Sequence, residues 1–495
     1  MGTPRNSATP WIIVTAVVAV LSLVVSVTTY ILTDQRNQEI RDELASLREE
    51  LDQTQADAQS GGLTDLLGDL GDLLGGSGAD GGLEDLLGGG SSSMGTVNPL
   101  DPQIMSCLSP DGGGTGEQDG SIPDGTIEEQ VAAIGQIVGE ERGVPVASDL
   151  DIEYVSADEV SRRAVEQTQQ ELNADDVAAD TRMLTALGAI EPGTDLAQTQ
   201  LDALDAGVAG YYDPETEELV IGSEEMDGLG AYITAHELVH AATDAAHGLP
   251  DTVEVEESAG SDAAYAALNV VEGDASLYSQ RFVAEHLPMS ELLGLQSESD
   301  VSTQAMADMP HYVSRSLQFP YMEGMAFSCD IYTEGGWDAV NQTYENLPTT
   351  SAQILFPDRY RDGEQAVDVT DPSGPSGWEN VTRDTFGAAD LLFLLEAPGG
   401  NTDAALSDPL ERVSAWAGGE VGVWSRGEET AMELVLADRG TATGLCETVT
   451  DYYAAAFPDA STADDGSGTT FEGANQSATV TCADDEVTLS TRTSG

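Results

Sequence analysis

The hydrophobic pattern begins with an uncharged run near the N-terminus. Residues 11–32 (WIIVTAVVAVLSLVVSVTTYIL) contain no charge, and as a helix they would span roughly 33 Å, close to the thickness of a bilayer core. The run predicts a transmembrane anchor with residues 1–10 as a cytoplasmic tail. Three Asn-X-Ser/Thr sequons and four cysteines follow it, which favours an outward orientation. We therefore expect a single-pass protein of the cell membrane whose large domain is extracellular.

Two polar segments follow this run. Within residues 33–55, apolar residues recur at 4-3-4 spacing among charges: Ile40, Leu44, Leu47 and Leu51. The spacing predicts a short coiled-coil stalk that joins copies into a homo-oligomer; a solvated amphipathic helix fits the same two heptads equally well. Residues 56–125 repeat GGLTDLL as GGLEDLL, which is typical of a low-complexity spacer.

Regular periodicity resumes at the next segment and continues to the end of the chain. In residues 126–363, which we interpret as the core, two helix-like segments precede a hairpin pattern at 209–222 with Asp-Pro-Glu-Thr in its turn. Residues 364–495 combine one helical segment with alternating strands, which predicts a small α/β C-terminal unit. The expected fold class is α+β, mainly helical around the chemical site.

The net charge of the chain indicates the solvent to which the protein is adapted. The chain has 17 basic residues, none of them lysine, against 89 acidic ones, so its formal net charge is −72. Such acidity excludes nucleic acid as a partner and is typical of a halophilic protein, because molar salt shortens the Debye length to about 3 Å and screens the carboxylates. Hydrophobic residues make up 40% of the chain, enough to form a core.

The strongest chemical signal is HELVH within the helical segment 229–247. On a helix, His236 and His240 share a face, and their ring nitrogens can bind one Zn²⁺ at about 2.0–2.1 Å each. Glu237 lies next to that face, where a general base could take a proton from a water activated by the metal. His247 lies two further turns along, too far to bind the same ion, which disfavours a metzincin arrangement.

A second helical segment, 261–278, supplies the remaining ligand. Glu272, in the sequence Glu-Gly-Asp-Ala, can complete a His₂Glu site for one zinc ion and leave the fourth position open. Asp244, four residues after His240, and Asp274 are candidates to support the ligands through hydrogen bonds. For Asp274, a solvated acid is an equal alternative.

Five motifs in order resemble a family of membrane-anchored haloarchaeal surface proteins with a gluzincin-like metallopeptidase core. They are YYDPETEELVIG, HELVHAATD, VVEGDA, FPYMEGMAFSCDIYTEGGWDAVNQTY and LPTTSAQILFPDRY, and the resemblance covers about residues 127–455. It implies that His236, His240 and Glu272 bind zinc and that Glu237 is the general base. The hairpin would supply an edge strand that pairs with an extended peptide.

The sequence departs from the related bacterial pattern at two places. Ala241, Ala242 and Thr243 replace a Gln-rich stretch, and Phe356 precedes Pro357 where those relatives have a histidine. If that histidine stabilises an oxyanion, a tyrosine must replace it, and three are available: Tyr321, Tyr332 and Tyr360. A packed tyrosine whose hydroxyl finds a partner is the more frequent role.

These observations lead to two functional hypotheses. The first is a membrane-anchored extracellular zinc metallopeptidase that acts on a peptide or protein, with membrane lipid as a further partner through the anchor. The alternative is a non-catalytic cell-surface or envelope binding protein with a structural or decayed metal site. Of three pairings open to four cysteines, we favour Cys446 with Cys482, because both lie in the terminal unit.

Overall fold

The computed structural model describes Ile104, Cys107, Leu108 and residues 125–147, 150–207, 210–222, 226–288, 309–440, 444–464, 466, 468–483 and 485–494. These residues belong to one compact unit. The predicted tail, anchor and stalk (1–55) lie outside the described residues, as does nearly all of the predicted spacer.

Thirteen α-helices lie in the described ranges: α1 Ile127–Glu141, α2 Ala157–Glu171, α3 Ala174–Leu187, α4 Leu196–Gly207, α5 Gly228–His247, α6 Thr252–Ala259, α7 Ser261–His286, α8 His311–Glu345, α9 Ser351–Leu355, α10 Pro357–Arg361, α11 Ala388–Glu396, α12 Pro409–Val413 and α13 Leu445–Ala456. Helix α8 is kinked, with non-helical backbone at Gly335 and Gly336. The ten strands are β1 Asp151–Tyr154, β2 Gly210–Asp213, β3 Glu218–Ile221, β4 Glu379–Thr385, β5 Trp416–Arg426, β6 Glu429–Asp438, β7 Ser461–Asp464, β8 Thr469–Glu472, β9 Gln476–Ala483 and β10 Glu486–Thr493.

The strands form two sheets. The smaller has the order β1-β3-β2, with β1 parallel and β2 antiparallel to β3, so β2 lies at an edge. The hairpin predicted at 209–222 is confirmed as β2 and β3. The larger sheet is antiparallel, with the order β4-β5-β6-β10-β9-β8-β7.

Local capping explains where the helices before and at the motif begin. Thr126 and Glu129 form a capping box at the start of α1, and Ser156 accepts a hydrogen bond from the Glu159 N–H at the start of α2. The Asp227 side chain caps α5 by accepting from the Gly230 N–H, and α5 ends before Gly248, whose φ is 76°. The helix predicted at 229–247 is therefore confirmed, with one further residue at its N-terminus.

Helices α7 and α8 cross with very little space between their backbones. A Cβ atom on Gly273 would lie 2.2 Å from the Gly324 carbonyl oxygen, and one on Gly324 would lie 2.6 Å from the Asn269 carbonyl oxygen. Glycine is therefore required on both helices by the close approach. Helix α7 also extends beyond the predicted 261–278, to His286.

The larger sheet packs on helices from the preceding part of the chain. One apolar cluster includes Leu187 of α3, Phe319 of α8 and Leu392 of α11 together with inward-facing sheet residues such as Leu434 and Leu489. The cluster therefore crosses the boundary predicted at 363/364, and that boundary stays a prediction. A disulfide joins Cys446 at the start of α13 to Cys482 on β9, the pair favoured from the sequence.

The predicted fold class, α+β and mainly helical, is wrong, because the architecture is mixed α/β. Strand β5 (WAGGEVGVWSR) contains three glycines, which disfavour a strand by local propensity, yet it pairs along its length with β6 and also with β4. The seven-stranded sheet depends on such pairings between strands. The sequence of one strand alone therefore does not predict the full extent of the sheet.

The predicted membrane anchor and cell-membrane localisation are corrected as well. Among the described helices, none is both long and apolar enough to cross a membrane. The longest two, α7 and α8, carry charged side chains along their length. The run 11–32, on which the anchor prediction depended, lies outside the described residues.

Candidate metal centre

Two histidines from one turn of α5 form the first half of the site. The ring centroids of His236 and His240 are 4.8 Å apart, as expected for positions i and i+4 on a helix. Both side chains are buried, with exposed fractions of 0% and 2%. The pair therefore faces the protein interior, where α7 crosses α5.

Helix α7 brings Glu272 against both rings. The Glu272 Oε2 atom lies 3.3 Å from His236 Nε2 and 3.6 Å from His240 Nε2. A tetrahedral zinc ion at about 2.0–2.1 Å from each ligand separates neighbouring ligand atoms by roughly 3.4 Å. The two separations thus fit an ion between these three residues, which form a metal-capable group whose donor atoms all lie within 4.8 Å of one another.

The hydrogen bonding of the group supports the same fit. His240 Nε2 and Glu272 Oε1 are buried and have no hydrogen-bond partner. Each buried polar atom left unpaired destabilises a fold by about 1–3 kcal/mol. A cation bound between the three residues would satisfy His240 Nε2, and a carboxylate that binds it through both oxygens would satisfy Oε1 as well.

Electrostatic interactions couple Glu272 to His240 within the metal-capable group. Burial alone would raise the pKa of Glu272, but the neighbouring histidines, His240 foremost, hold it below its ordinary value. Burial alone would lower the pKa of His240, but the Glu272 carboxylate raises it above the ordinary value. Glu272 and His240 therefore attract each other even without a metal ion between them.

Glu237 lies beside the metal-capable group and close to the edge strand. Its side chain is 1% exposed, and the Tyr212 backbone N–H on β2 is near enough to act on the pKa of its carboxylate. Burial raises the pKa of Glu237, although the charges of His236 and His240 oppose the shift. A carboxylate with a raised pKa is suited to accept and return a proton near neutral pH.

The three predicted tyrosines lie in different surroundings. Tyr321 of α8 is fully buried and stacks on His236, with 6.1 Å between the ring centroids. Burial, with the nearby carboxylates of Glu272 and Glu237, raises its pKa well above the ordinary value. Tyr321 therefore contacts the metal-capable group and keeps its proton.

Tyr332 and Tyr360 have other contacts. The Tyr332 ring packs on Trp337 and lies under the Arg281 guanidinium. Tyr360 donates to the Asn346 carbonyl oxygen at 2.7 Å, and its ring packs on Phe327. Tyr332 and Tyr360 therefore have the packing role that is more frequent for a tyrosine.

Asp244 connects α5 to the edge strand. Its Oδ2 accepts from the Tyr212 hydroxyl at 2.8 Å, and its Oδ1 accepts from the Leu249 backbone N–H at 2.9 Å. Asp244 thereby holds the strand whose backbone contacts Glu237. Its role in supporting the ligands stays a prediction.

Asp274 is part of a buried ion pair. Arg142, the residue directly after α1, donates to both oxygens of Asp274 at 2.8 Å, and both side chains are 0% exposed. The Tyr344 hydroxyl of α8 donates to the same carboxylate at 2.8 Å. Asp274, two residues after Glu272, thus connects α7 to α8 and to the end of α1. The alternative that Asp274 is a solvated acid is wrong.

Sequence reasoning missed Arg142, Tyr344 and Tyr212. Arg142 is 132 residues away from Asp274, so no local pattern could pair them. Tyr212 lies inside the recognised YYDPETEELVIG motif, and its position at the edge of the sheet was the available signal. Its contacts with Glu237 and Asp244 depend on how β2 packs against α5.

A groove of about 510 Å³ lies elsewhere, at the strands of the larger sheet. It is lined by residues that include Ser373, Trp424 and Arg492, and by none of the metal-capable group. The group itself is closed over by its neighbours in this structure.

Comparison with known proteins adds no identification. No protein-family model, no curated protein and no solved structure matches the chain. The resemblance to gluzincin-type proteins therefore depends on the motif residues alone. Any functional proposal depends on the geometry of the metal-capable group.

Proposed function

We propose that the protein is a zinc-dependent hydrolase that cleaves peptide bonds, with His236, His240 and Glu272 as the zinc ligands. One observation carries the proposal: three buried donors from two helices converge at separations that fit a tetrahedral ion. A general-base candidate, Glu237, lies next to the ligands on the same helix.

The chain's own residues supply the remaining steps. Zinc in such a site acts as a Lewis acid toward a carbonyl oxygen and makes water more acidic. Glu237, with its raised pKa, accepts a proton from the attacking water and donates it to the leaving amine. Tyr321, protonated and stacked on His236, is the candidate to donate a hydrogen bond to an oxyanion; in this structure its hydroxyl interacts with Glu272.

Substrate orientation would come from β2. This strand lies at an edge of the smaller sheet, so its outer backbone groups can pair with an extended peptide. Since β2 lies close to Glu237, a peptide along β2 would run beside the base. The substrate class that this arrangement favours is an unfolded or extended polypeptide.

A second function is favoured by one specific observation, the burial of the group. His236, Glu237, His240 and Glu272 are at most 2% exposed. Structural zinc sites are closed, whereas catalytic sites keep an open position. We therefore keep a structural zinc site, without hydrolysis, as the second candidate.

Metal content tests what the two candidates share. The chain purified at molar salt should contain about one zinc per molecule by elemental mass spectrometry, and His236→Ala should lose it because two ligands rarely hold zinc against buffer. His247→Ala is the matched control, since His247 lies on the same helix with its side chain exposed. Absence of stoichiometric zinc from the unmodified chain would overturn both candidates.

Cleavage separates the two candidates. Glu237→Gln should retain zinc, while hydrolysis of a peptide library falls by about 10²–10⁴-fold, the range expected for a general base. Zinc retention together with no cleavage by the unmodified chain would reject the hydrolase and leave the structural site.

A further inference from the structure

Two cysteines outside the Cys446–Cys482 disulfide lie next to each other in the interior. Cys107 is 2% exposed and Cys329, on α8, is 1% exposed. The Cys107 thiol donates to the Cys329 carbonyl oxygen over 3.6 Å. They are 222 residues apart in the chain, so the fold, and no local sequence feature, brings them together.

Their surroundings hold both residues in place. Cys107 and Cys329 belong to a small apolar cluster with Ile104, Leu277 of α7 and Met325 of α8. The Arg281 guanidinium of α7 donates to the Cys107 carbonyl oxygen. Cys107 is thereby fixed against the two helices that carry Glu272 and Tyr321.

We propose that Cys107 and Cys329 form a second disulfide in the mature protein, which fastens the segment around Cys107 to α8. The chain has four cysteines, and the other two are already paired. Conditions that oxidise that pair also oxidise a second pair of neighbouring thiols. Since both remaining cysteines are buried side by side, each is the partner within reach of the other.

The reaction is thiol–disulfide exchange with a small-molecule or protein disulfide as the oxidant. One thiolate attacks the oxidant and releases one thiol from it, which leaves a mixed disulfide on the chain. The second cysteine, as its thiolate, then attacks the mixed disulfide and releases the other thiol. Two protons and two electrons pass from the cysteines to the oxidant, which is reduced to two thiols.

Burial determines when this bond can form. Hydrogen bonding with Cys107 and burial raise the pKa of the Cys329 thiol, so the reactive thiolate is scarce once the core has closed. The bond must therefore form during folding, before the apolar cluster excludes the oxidant. A chain folded with these thiols reduced should then react slowly.

The test uses the full chain, refolded at molar salt in a buffer of reduced and oxidised glutathione. The sample is quenched in acid, its free thiols are alkylated in guanidinium near neutral pH, and its peptides are analysed by mass spectrometry without reduction. Closure of Cys446–Cys482 in the same sample is the internal control for oxidation. We expect no alkylated cysteine and a cross-linked peptide pair that contains Cys107 and Cys329.

Two outcomes would overturn the proposal. One is alkylation of both Cys107 and Cys329 in a sample whose Cys446–Cys482 bond is closed. The other is linkage of either residue to Cys446 or Cys482. The Cys107→Ser variant adds a direct check, because it should expose one alkylatable thiol, at Cys329, while Cys446–Cys482 stays closed.

If the Cys107→Ser variant does not fold, a variant that lacks Cys446 and Cys482 still tests the proposal. The double variant Cys446→Ser, Cys482→Ser should still yield the Cys107–Cys329 cross-link. The kinetic part is separate: this double variant, reduced in guanidinium and refolded without oxidant, should react with a disulfide reagent at least tenfold more slowly than the same chain kept in guanidinium. Equal rates would show that burial does not control the bond.

Discussion

The helices around the metal-capable group and the seven-stranded sheet differ in where they keep their charges. In the helices, Arg142, Asp274 and Glu272 are fully buried. In the sheet, ion pairs lie at the surface: the side chains of Arg426 and Glu429 are 59% and 46% exposed. The inward side chains of β6 and β10 are instead apolar, as with Leu434 and Leu489.

The difference shows that the two regions are stabilised in different ways. Burying a charge is unfavourable unless it is paired and hydrogen-bonded, so the helical region must keep its partners together. The sheet derives its stability from apolar area removed from water and from a disulfide, and its exposed pairs contribute little. A change of one charge should therefore have a large effect among the helices and a small one on the sheet.

The buried ion pair should give the largest effect. Arg142→Ala leaves the Asp274 carboxylate buried without its cation, and loss of one partner of a buried pair destabilises a protein by about 3–5 kcal/mol. Chemical unfolding at constant molar salt measures the free energy of unfolding. Asp274→Asn in the Arg142→Ala background should restore part of the loss, and a loss below about 1 kcal/mol for Arg142→Ala would contradict the comparison.

Asp262, a buried acid on α7 without a cation, should give the next effect. Burial, with Asp390 and Asp384 nearby, raises its pKa from 3.8 to about 7. Because the folded-state pKa is raised, the stabilising contribution is fully present below about pH 4 and is lost as the pH rises through 7. That loss amounts to up to about 4 kcal/mol.

Asp262→Asn should remove this part of the pH dependence. Its amide oxygen can still accept the hydrogen bond that Asp262 receives from the Ser351 N–H. Unfolding free energies of both proteins, measured from pH 4 to pH 8 at one salt concentration, test the expectation. Asp459→Asn, at an exposed position, is the matched control, and parallel pH curves for Asp262→Asn and the unmodified chain would refute the assignment.

Removal of the disulfide in the sheet region should give the third-largest loss of stability. The Cys446–Cys482 disulfide closes a loop with a sequence separation of 36, for which chain entropy gives a stabilisation of about 3.8 kcal/mol. Replacing both cysteines by serine should lower the free energy of unfolding by that amount. Bound zinc should be unaffected in the folded variant, and loss of zinc at full folding would show that the two regions are not independent.

The smallest effect is expected at the surface of the sheet. Arg426→Ala removes the pair with Glu429, and exposed pairs contribute about 0.2–1 kcal/mol. The same unfolding assay that is used for Arg142→Ala applies, so that both arginines are compared directly. A loss as large as that of Arg142→Ala would remove the distinction between the two regions.

Sequence patterns predicted local features better than distant contacts. The spacing of His236 and His240 requires only one helix, and the hairpin before it requires only a turn between two short strands. Glu272 could be selected because its motif lies on the next strongly helical segment. The contact of Glu237 with Tyr212, the Arg142–Asp274 pair and the β5 pairings join distant positions, which no local period encodes.

The close contact of α7 with α8 makes position 273 sensitive to mutation. Gly273 follows Glu272 directly, and a single methyl group at 273 would overlap the Gly324 carbonyl oxygen. A mutation that encodes alanine there adds no charge and removes no ligand, yet it forces the helices apart and moves Glu272 away from the histidines. Codon 273 is therefore a position at which even the smallest side-chain addition should disrupt the proposed metal centre.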